Sequence, residues 1–143
     1  QKVADITHLL DLKTVVIDDR EEFANRDRFP MADEILVTKD FSSSLDSFSM
    51  DSESYIIILT RGHLHDQAVL KEALKTKAGY VGMIGSIRKR NQIYENLLKE
   101  GVSNQDLKRV KSPIGIEINA ETPAEIAVSI TAEIIAVKHS KHA

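Results

Sequence analysis

Short apolar runs alternate with amphipathic stretches along most of this chain. Residues 13–18 (KTVVID), 34–38 (EILVT), 55–60 (YIIILT) and 79–84 (GYVGMI) are brief, β-branched and apolar at most positions, a pattern that predicts strands covered on both faces. Between and after them the spacing turns helical. Residues 63–75 set Val69, Leu70, Ala73 and Leu74 on one side, and residues 86–100 do the same with Ile87, Tyr94, Leu97 and Leu98. A last helix is marked at its start by Thr122-Pro123-Ala124-Glu125, a capping box with proline at the first helical position. Its body, residues 126–137, is apolar nearly all round and is expected to pack deep against the sheet, leaving 138–143 as a frayed polar tail.

Strands that alternate with helices predict an α/β fold with a mainly parallel sheet, right-handed crossovers and helices on both faces. Residues 1–11 read as one more helix, with Val3, Thr7 and Leu10 aligned, feeding the strand that ends at Asp18. This order is that of a Rossmann-like domain entered one element late, because the first strand and its Gly-rich turn would precede that helix. Asp18 stands where such domains place the acid that binds a ribose hydroxyl. The missing strand is central in the usual order, and its absence exposes two apolar edges. The gap is expected to be filled by a partner chain, by the flanking strands closing together, or by upstream residues. The Ser-rich stretch 41–54 carries Phe41, Leu45, Phe48 and Met50 and is read first as a short packed helix, second as a mobile loop. Alternating Ile114, Ile116 and Ile118 predict a further strand or extended arm.

The length of 143 residues suits one domain, 1–143, with a single core, expected to be a fragment of a longer protein. With 22 acidic against 19 basic residues and 5% aromatics, a nucleic-acid surface is disfavoured. No apolar run approaches the roughly 20 residues of a membrane span. The chain has no cysteine, which excludes disulfides, thiolate metal sites and thiol nucleophiles within it and fits a cytoplasmic protein.

Candidate chemistry gathers after the strands, where open α/β sheets bind ligands. Gly79-Tyr80-Val81-Gly82-Met83-Ile84-Gly85-Ser86-Ile87-Arg88-Lys89 runs a strand through glycines into a Ser-led helix start bearing cations. Cations are disfavoured there by the helix dipole unless an anion is present, so Gly82, Gly85, Ser86, Arg88 and Lys89 form a candidate phosphate site. A solvated basic helix face is the competing reading. Asp18, Asp19 and Arg20 follow one strand, and Arg61, His63, His65 and Asp66 follow another. Arg61 suits phosphate or carboxylate, or else an ion pair with Asp18, Asp19 or Asp66. His63 and His65 with Asp66 have metal-ligand chemistry, but two residues apart on a helix they diverge and no further ligand stands out, so no metal is expected. His139 and His142 belong to the tail.

Taken together, Asp18-Asp19-Arg20-Glu21-Glu22-Phe23-Ala24-Asn25, Thr60-Arg61-Gly62-His63-x-His65-Asp66, the 79–89 segment and Pro113-Ile114-Gly115-x-x-Ile118-x-Ala120-Glu121-Thr122-Pro123-x-Glu125-Ile126-Ala127 closely resemble the C-terminal Rossmann domain of the xanthine dehydrogenase accessory (XdhC/CoxI) family. The resemblance implies a protein that binds molybdenum cofactor (molybdopterin) and supports its sulfuration and insertion during maturation of xanthine dehydrogenase-type molybdenum hydroxylases. It implies the apo-hydroxylase and a sulfur-donating desulfurase as partners, and a homodimer is expected. Members of the family carry a Gly-Gly-Cys element in an N-terminal region that this chain lacks. What transfers is the strand-end set: Asp18, Asp19, Arg20, Arg61, His63, His65, Asp66, Gly82, Gly85, Ser86, Arg88 and Lys89. An NAD(P)-binding oxidoreductase domain is the alternative, disfavoured by the absent Gly-rich turn and substrate domain. A purely structural dimerisation domain is the third reading.

Overall fold

A computed structural model describes residues 1–141. Five strands and five helices follow in the order α1 (Lys2–Leu9), β1 (Val15–Asp18), β2 (Glu34–Val37), β3 (Tyr55–Ile58), α2 (His63–Lys75), β4 (Tyr80–Met83), α3 (Ile87–Lys99), α4 (Asn104–Leu107), β5 (Val110–Lys111) and α5 (Pro123–Ser140). All strand pairs are parallel, and they form two sheets, β2-β1 and β3-β4-β5. The fold class expected from the sequence is thereby found.

Strand alternation divides the core into two layers. Ile56 and Ile58 of β3 face a cluster with Leu70 of α2, Ile93 and Leu97 of α3, and Met83 of β4. Tyr55 and Ile57 face the opposite side, where Tyr80 packs with Ile130 and Ile134 of α5 and with Val3 of α1. Period two in the strands and 3.6 in the helices thus yield a sheet covered on both faces.

The sheet is split between β1 and β3. Among the described residues no backbone hydrogen bond joins β1 to β3, so the flanking strands do not close together. All four residues of β1 are only half-buried, because one edge of that strand has no neighbour. The halves are held in common by side chains: Ile17 packs against the larger cluster, and α1 packs on α5. Thr7 Oγ1 and Thr14 Oγ1, 2.8 Å apart, fasten α1 to the segment entering β1.

Four other expectations need correction. The Ser-rich stretch forms turns, with no helix, although Phe41 and Leu45 are buried. Asp40 accepts from the amide and hydroxyl of Ser42, a local bond that competes with helix. Residues 114–118 are not a strand. Pro113 has no N–H to give a ladder and Gly115 takes φ +98°, so the chain turns and Ile116 and Ile118 are exposed. Helix α5 is not enclosed all round, since Val128 is 50% and Ile135 39% exposed. It also continues through Ser140, and Lys141 Nζ donates to the carbonyl of Ser52 and lies over the Tyr55 ring. His142 and Ala143 lie outside the described residues.

Helix α5 is tied to the strands midway along. Glu133 Oε1 accepts from Tyr80 Oη at 2.6 Å and from the Gly115 amide at 3.1 Å. Burial and this bond raise the Tyr80 pKa far above its ordinary value, so the phenol stays a donor.

Amides of β1 and β3 that point into the gap should exchange with solvent orders of magnitude faster than those of β4, which pairs on both edges. Hydrogen exchange read by NMR checks this. Uniform protection would mean that another strand occupies the gap in solution.

Candidate functional site

Three strand ends and two helix starts meet at the C-terminal edge of the sheet. Beyond β1, Asp18 is clasped by Arg20: Oδ1 accepts from the Arg20 backbone amide and from Nε, both at 3.0 Å, and Oδ2 accepts from Nη2 at 3.2 Å. Burial opposes ionisation of Asp18, but these hydrogen bonds outweigh it and hold the carboxyl below its usual range. The Arg20 guanidinium stands 3.9 Å from the centre of the Phe23 ring, and Arg28 stands 4.5 Å from the same ring. Asp18 is the last residue of β1, and both its oxygens are engaged by Arg20.

Asp19 reaches across the gap in the sheet. Its Oδ2 lies 3.3 Å from Nη2 of Arg61, which follows β3, and its Oδ1 lies 3.6 Å from Arg20 Nε. Of the pairings open to Arg61 from the sequence, Asp19 is the one formed. The Arg61 side chain remains 62% exposed, so little holds it there against a competing anion.

Beyond β3, Gly62 takes φ +92° as the N-cap of α2, a conformation that favours glycine. His63 is exposed, whereas the His65 ring packs edge-on to Phe41 with centroids 5.2 Å apart. The two histidines are thus separated, and among the described residues no group of three or more His, Cys, Asp or Glu is gathered for a metal. Asp66 is fully buried. Thr60 Oγ1 donates to its Oδ1 and Lys89 Nζ donates to its Oδ2.

Beyond β4, Gly85 takes φ +134° and Ser86 caps α3, its Oγ accepting from the Lys89 amide at 3.2 Å. The sequence places this cap correctly. Helix starts leave their first amides unpaired, and here those of Ile87 and Arg88 open beside exposed Ser86 and Arg88. The Arg88 side chain has no ion pair or hydrogen bond, whereas Arg20, Arg61 and Lys89 are each paired with a carboxylate. Gly82 is not at the edge. It is buried within β4, where a Cβ would come within 2.5 Å of Tyr80 Oη and 2.6 Å of Ile114 Cδ1, so packing alone demands a glycine.

Sequence reasoning missed the apolar rim: Leu59 is 43%, Leu64 82% and Ile87 57% exposed, all beside the strand ends. Leu59 was expected inside a buried strand and Ile87 on the packed side of its helix, so nothing in the sequence signalled their exposure. Arg28 was missed as well, since its contact with Phe23 depends on how 21–33 folds back.

The description "XdhC Rossmann domain" belongs to a family model that matches residues 1–134. The chain is 28% identical over 138 residues to the Escherichia coli (strain K12) protein YqeB, covering 96% of this chain and 25% of that one. It is 31% identical over 121 residues to a probable xanthine dehydrogenase subunit of Bacillus subtilis (strain 168), covering 85% and 34%. It is 27% identical over 92 residues to the molybdenum cofactor insertion chaperone PaoD of Escherichia coli (strain K12), covering 64% and 29%. A crystal structure described as a xanthine dehydrogenase from Bacillus halodurans superposes with a TM-score of 0.82 at 28% identity, over 97% of this chain and 39% of that one. The chain thus spans about a third or less of the curated relatives it matches.

Two outcomes follow from the geometry. Lys89→Met strands the buried Asp66 carboxylate and should lower stability by about 3–5 kcal/mol, read from urea unfolding; no change would mean that water reaches the pair. Because the Asp18 carboxyl is held below its usual value, the clasp's contribution is complete above about pH 3.9 and is lost as pH falls through the lowered value. A carbon-detected NMR titration of Asp18 should show a midpoint below about 3.9, and one at or above it would show the clasp open in solution.

Proposed function

From a chain that belongs to the XdhC family through its Rossmann domain, we propose that the strand-end edge binds the phosphate-bearing molybdenum cofactor and that the protein is an accessory factor in the maturation of molybdenum hydroxylases. The observation that carries this reading is Arg88: an exposed cation without a partner, at a helix start whose amides are open, on the edge where Rossmann sheets take ligands. The names of the relatives add support, one being a molybdenum cofactor insertion chaperone and another a probable xanthine dehydrogenase subunit.

The residues fit the group. Ser86 and Gly85 keep the start of α3 accessible, and Arg88 with the amides of Ile87 and Arg88 would hold a phosphate. Arg61 would add a second cation once it leaves Asp19. Asp19, as an acceptor released by Arg61, would take the amino and ring N–H donors of a pterin or the hydroxyls of a nucleotide tail, while Asp18 holds Arg20 in place and Arg20 and His63 line the approach. Exposed Leu59 and Ile87 offer apolar cover to a flat ring. His65, Asp66 and Gly82 serve this edge from within. The bound cofactor supplies the redox chemistry of the hydroxylase it is delivered to; this chain supplies binding, orientation and shelter.

Sulfuration and handover belong to the same reading, with a sulfur-donating desulfurase and the apo-hydroxylase as partners and a homodimer as the working unit. With no cysteine in the chain, any thiol that receives or protects sulfur lies outside it. An NAD(P)-binding oxidoreductase domain is the second reading, favoured by Asp18 at the ribose position and opposed by the Arg20 clasp on both its oxygens.

Titration with molybdopterin, NAD(H) and NADP(H), on this chain and on a version extended upstream, separates the two. Molybdopterin should bind in preference, and Arg88→Ala should weaken it about 10-fold or more without changing the unfolding midpoint. Dinucleotide binding alone would overturn the accessory reading.

A further inference from the structure

Lys89 belongs by sequence to the cations of the α3 start, yet its ammonium is turned into the protein. The side chain is 16% exposed and is paired with Asp66, whose side chain is fully buried. Its stem lies back across Gly85, where a Cβ would come within 2.8 Å of Lys89 Cδ. Thr60 supplies the second bond to the same carboxylate. One buried carboxylate therefore joins the end of β3, the first turn of α2 and the first turn of α3. A buried ion pair is a poor means of gaining stability, because apolar side chains of equal volume do as well. What it adds is direction, since a carboxylate with two fixed donors permits one relative placement of the two helix starts.

We propose that Lys89 is a positioning residue that makes no contact with the ligand. Through Asp66 it locks the start of α3 to the start of α2, so that Arg88, the open amides of α3 and Arg61 face one crevice. This rests on the cofactor-binding reading above and reassigns the role of two residues within it.

Removing the partner distinguishes positioning from contact by the sign of the effect. Asp66→Asn releases the Lys89 charge, so a ligand-contacting lysine predicts molybdopterin affinity equal to or tighter than that of the unaltered chain. Positioning predicts that Asp66→Asn, Lys89→Met and the double variant all weaken binding by a similar factor, about 10-fold. The double variant leaves no buried charge and keeps the comparison free of unfolding. Positioning also predicts that the salt dependence of binding is unchanged in Lys89→Met and shallower in Arg88→Ala, because Arg88 meets the anion and Lys89 does not. Equal or tighter binding by Asp66→Asn, or a shallower dependence in Lys89→Met, overturns the proposal. Hydrogen exchange decides the matter without ligand: the double variant should speed exchange of the first hydrogen-bonded amides of both α2 and α3, and an effect confined to α3 would refute the lock. Should the unaltered chain bind no molybdopterin, the functional reading falls, and this exchange measurement still decides whether the helix starts are coupled.

Discussion

A parallel strand in the interior of a sheet must spend its backbone hydrogen bonds on two neighbours, and here β1 and β3 each have one. Among the described residues, side-chain contacts join the two halves where no backbone hydrogen bond joins their strands. The two halves share a core through Ile17, and α1 packs on α5, whose Ile130 and Ile134 lie beneath the larger half. Apolar contact is non-directional, so it keeps the halves together without closing the space between them. The consequence for the ligand edge is direct, because Asp18 and Asp19 belong to one half and Arg61 and Arg88 to the other.

Charge at that edge is largely self-neutralised. Arg20 is spent on Asp18, Arg61 on Asp19 and Lys89 on Asp66. These pairs differ in what a ligand would have to overcome. The Asp19–Arg61 pair is open to water and yields readily. The Asp66–Lys89 pair is enclosed, and separating it would leave a bare charge in the core. An incoming anion therefore meets a graded surface, with Arg88 free, Arg61 exchangeable and Lys89 fixed.

Much of this was legible in the sequence wherever the signal is local. The Thr122–Glu125 capping box and the Ser86 cap are found as expected, because a cap is a short-range bond between residues three apart. The buried strands announced themselves by β-branched runs, and Asp18 by ending one. The two-residue β5 and the four-residue α4 gave no sign, being too short for periodicity to accumulate. The ion-pair partners were hidden for a different reason. Asp66 and Lys89 lie 23 residues apart and Asp19 and Arg61 lie 42 apart, so their pairing follows from strand order and from no pattern along the chain. The surroundings of Gly82 were hidden because Ile114, which lies against it, arrives from a segment far along the chain that was expected to be a strand or an extended arm.

Helix α5 is anchored at both ends and in the middle: the capping box fixes its start, Glu133 meets Tyr80 and Gly115 partway along, and Lys141 hooks the carbonyl of Ser52 at the far edge. Three anchors on one rod make its length a calibrated quantity. Adding or deleting one residue turns everything beyond it by about 100° and shifts it by about 1.5 Å, which would swing Glu133 or Lys141 off its mark. Exchanges on the outward face, at Val128 and Ile135, leave these anchors in place, whereas a change of length within the helix moves them.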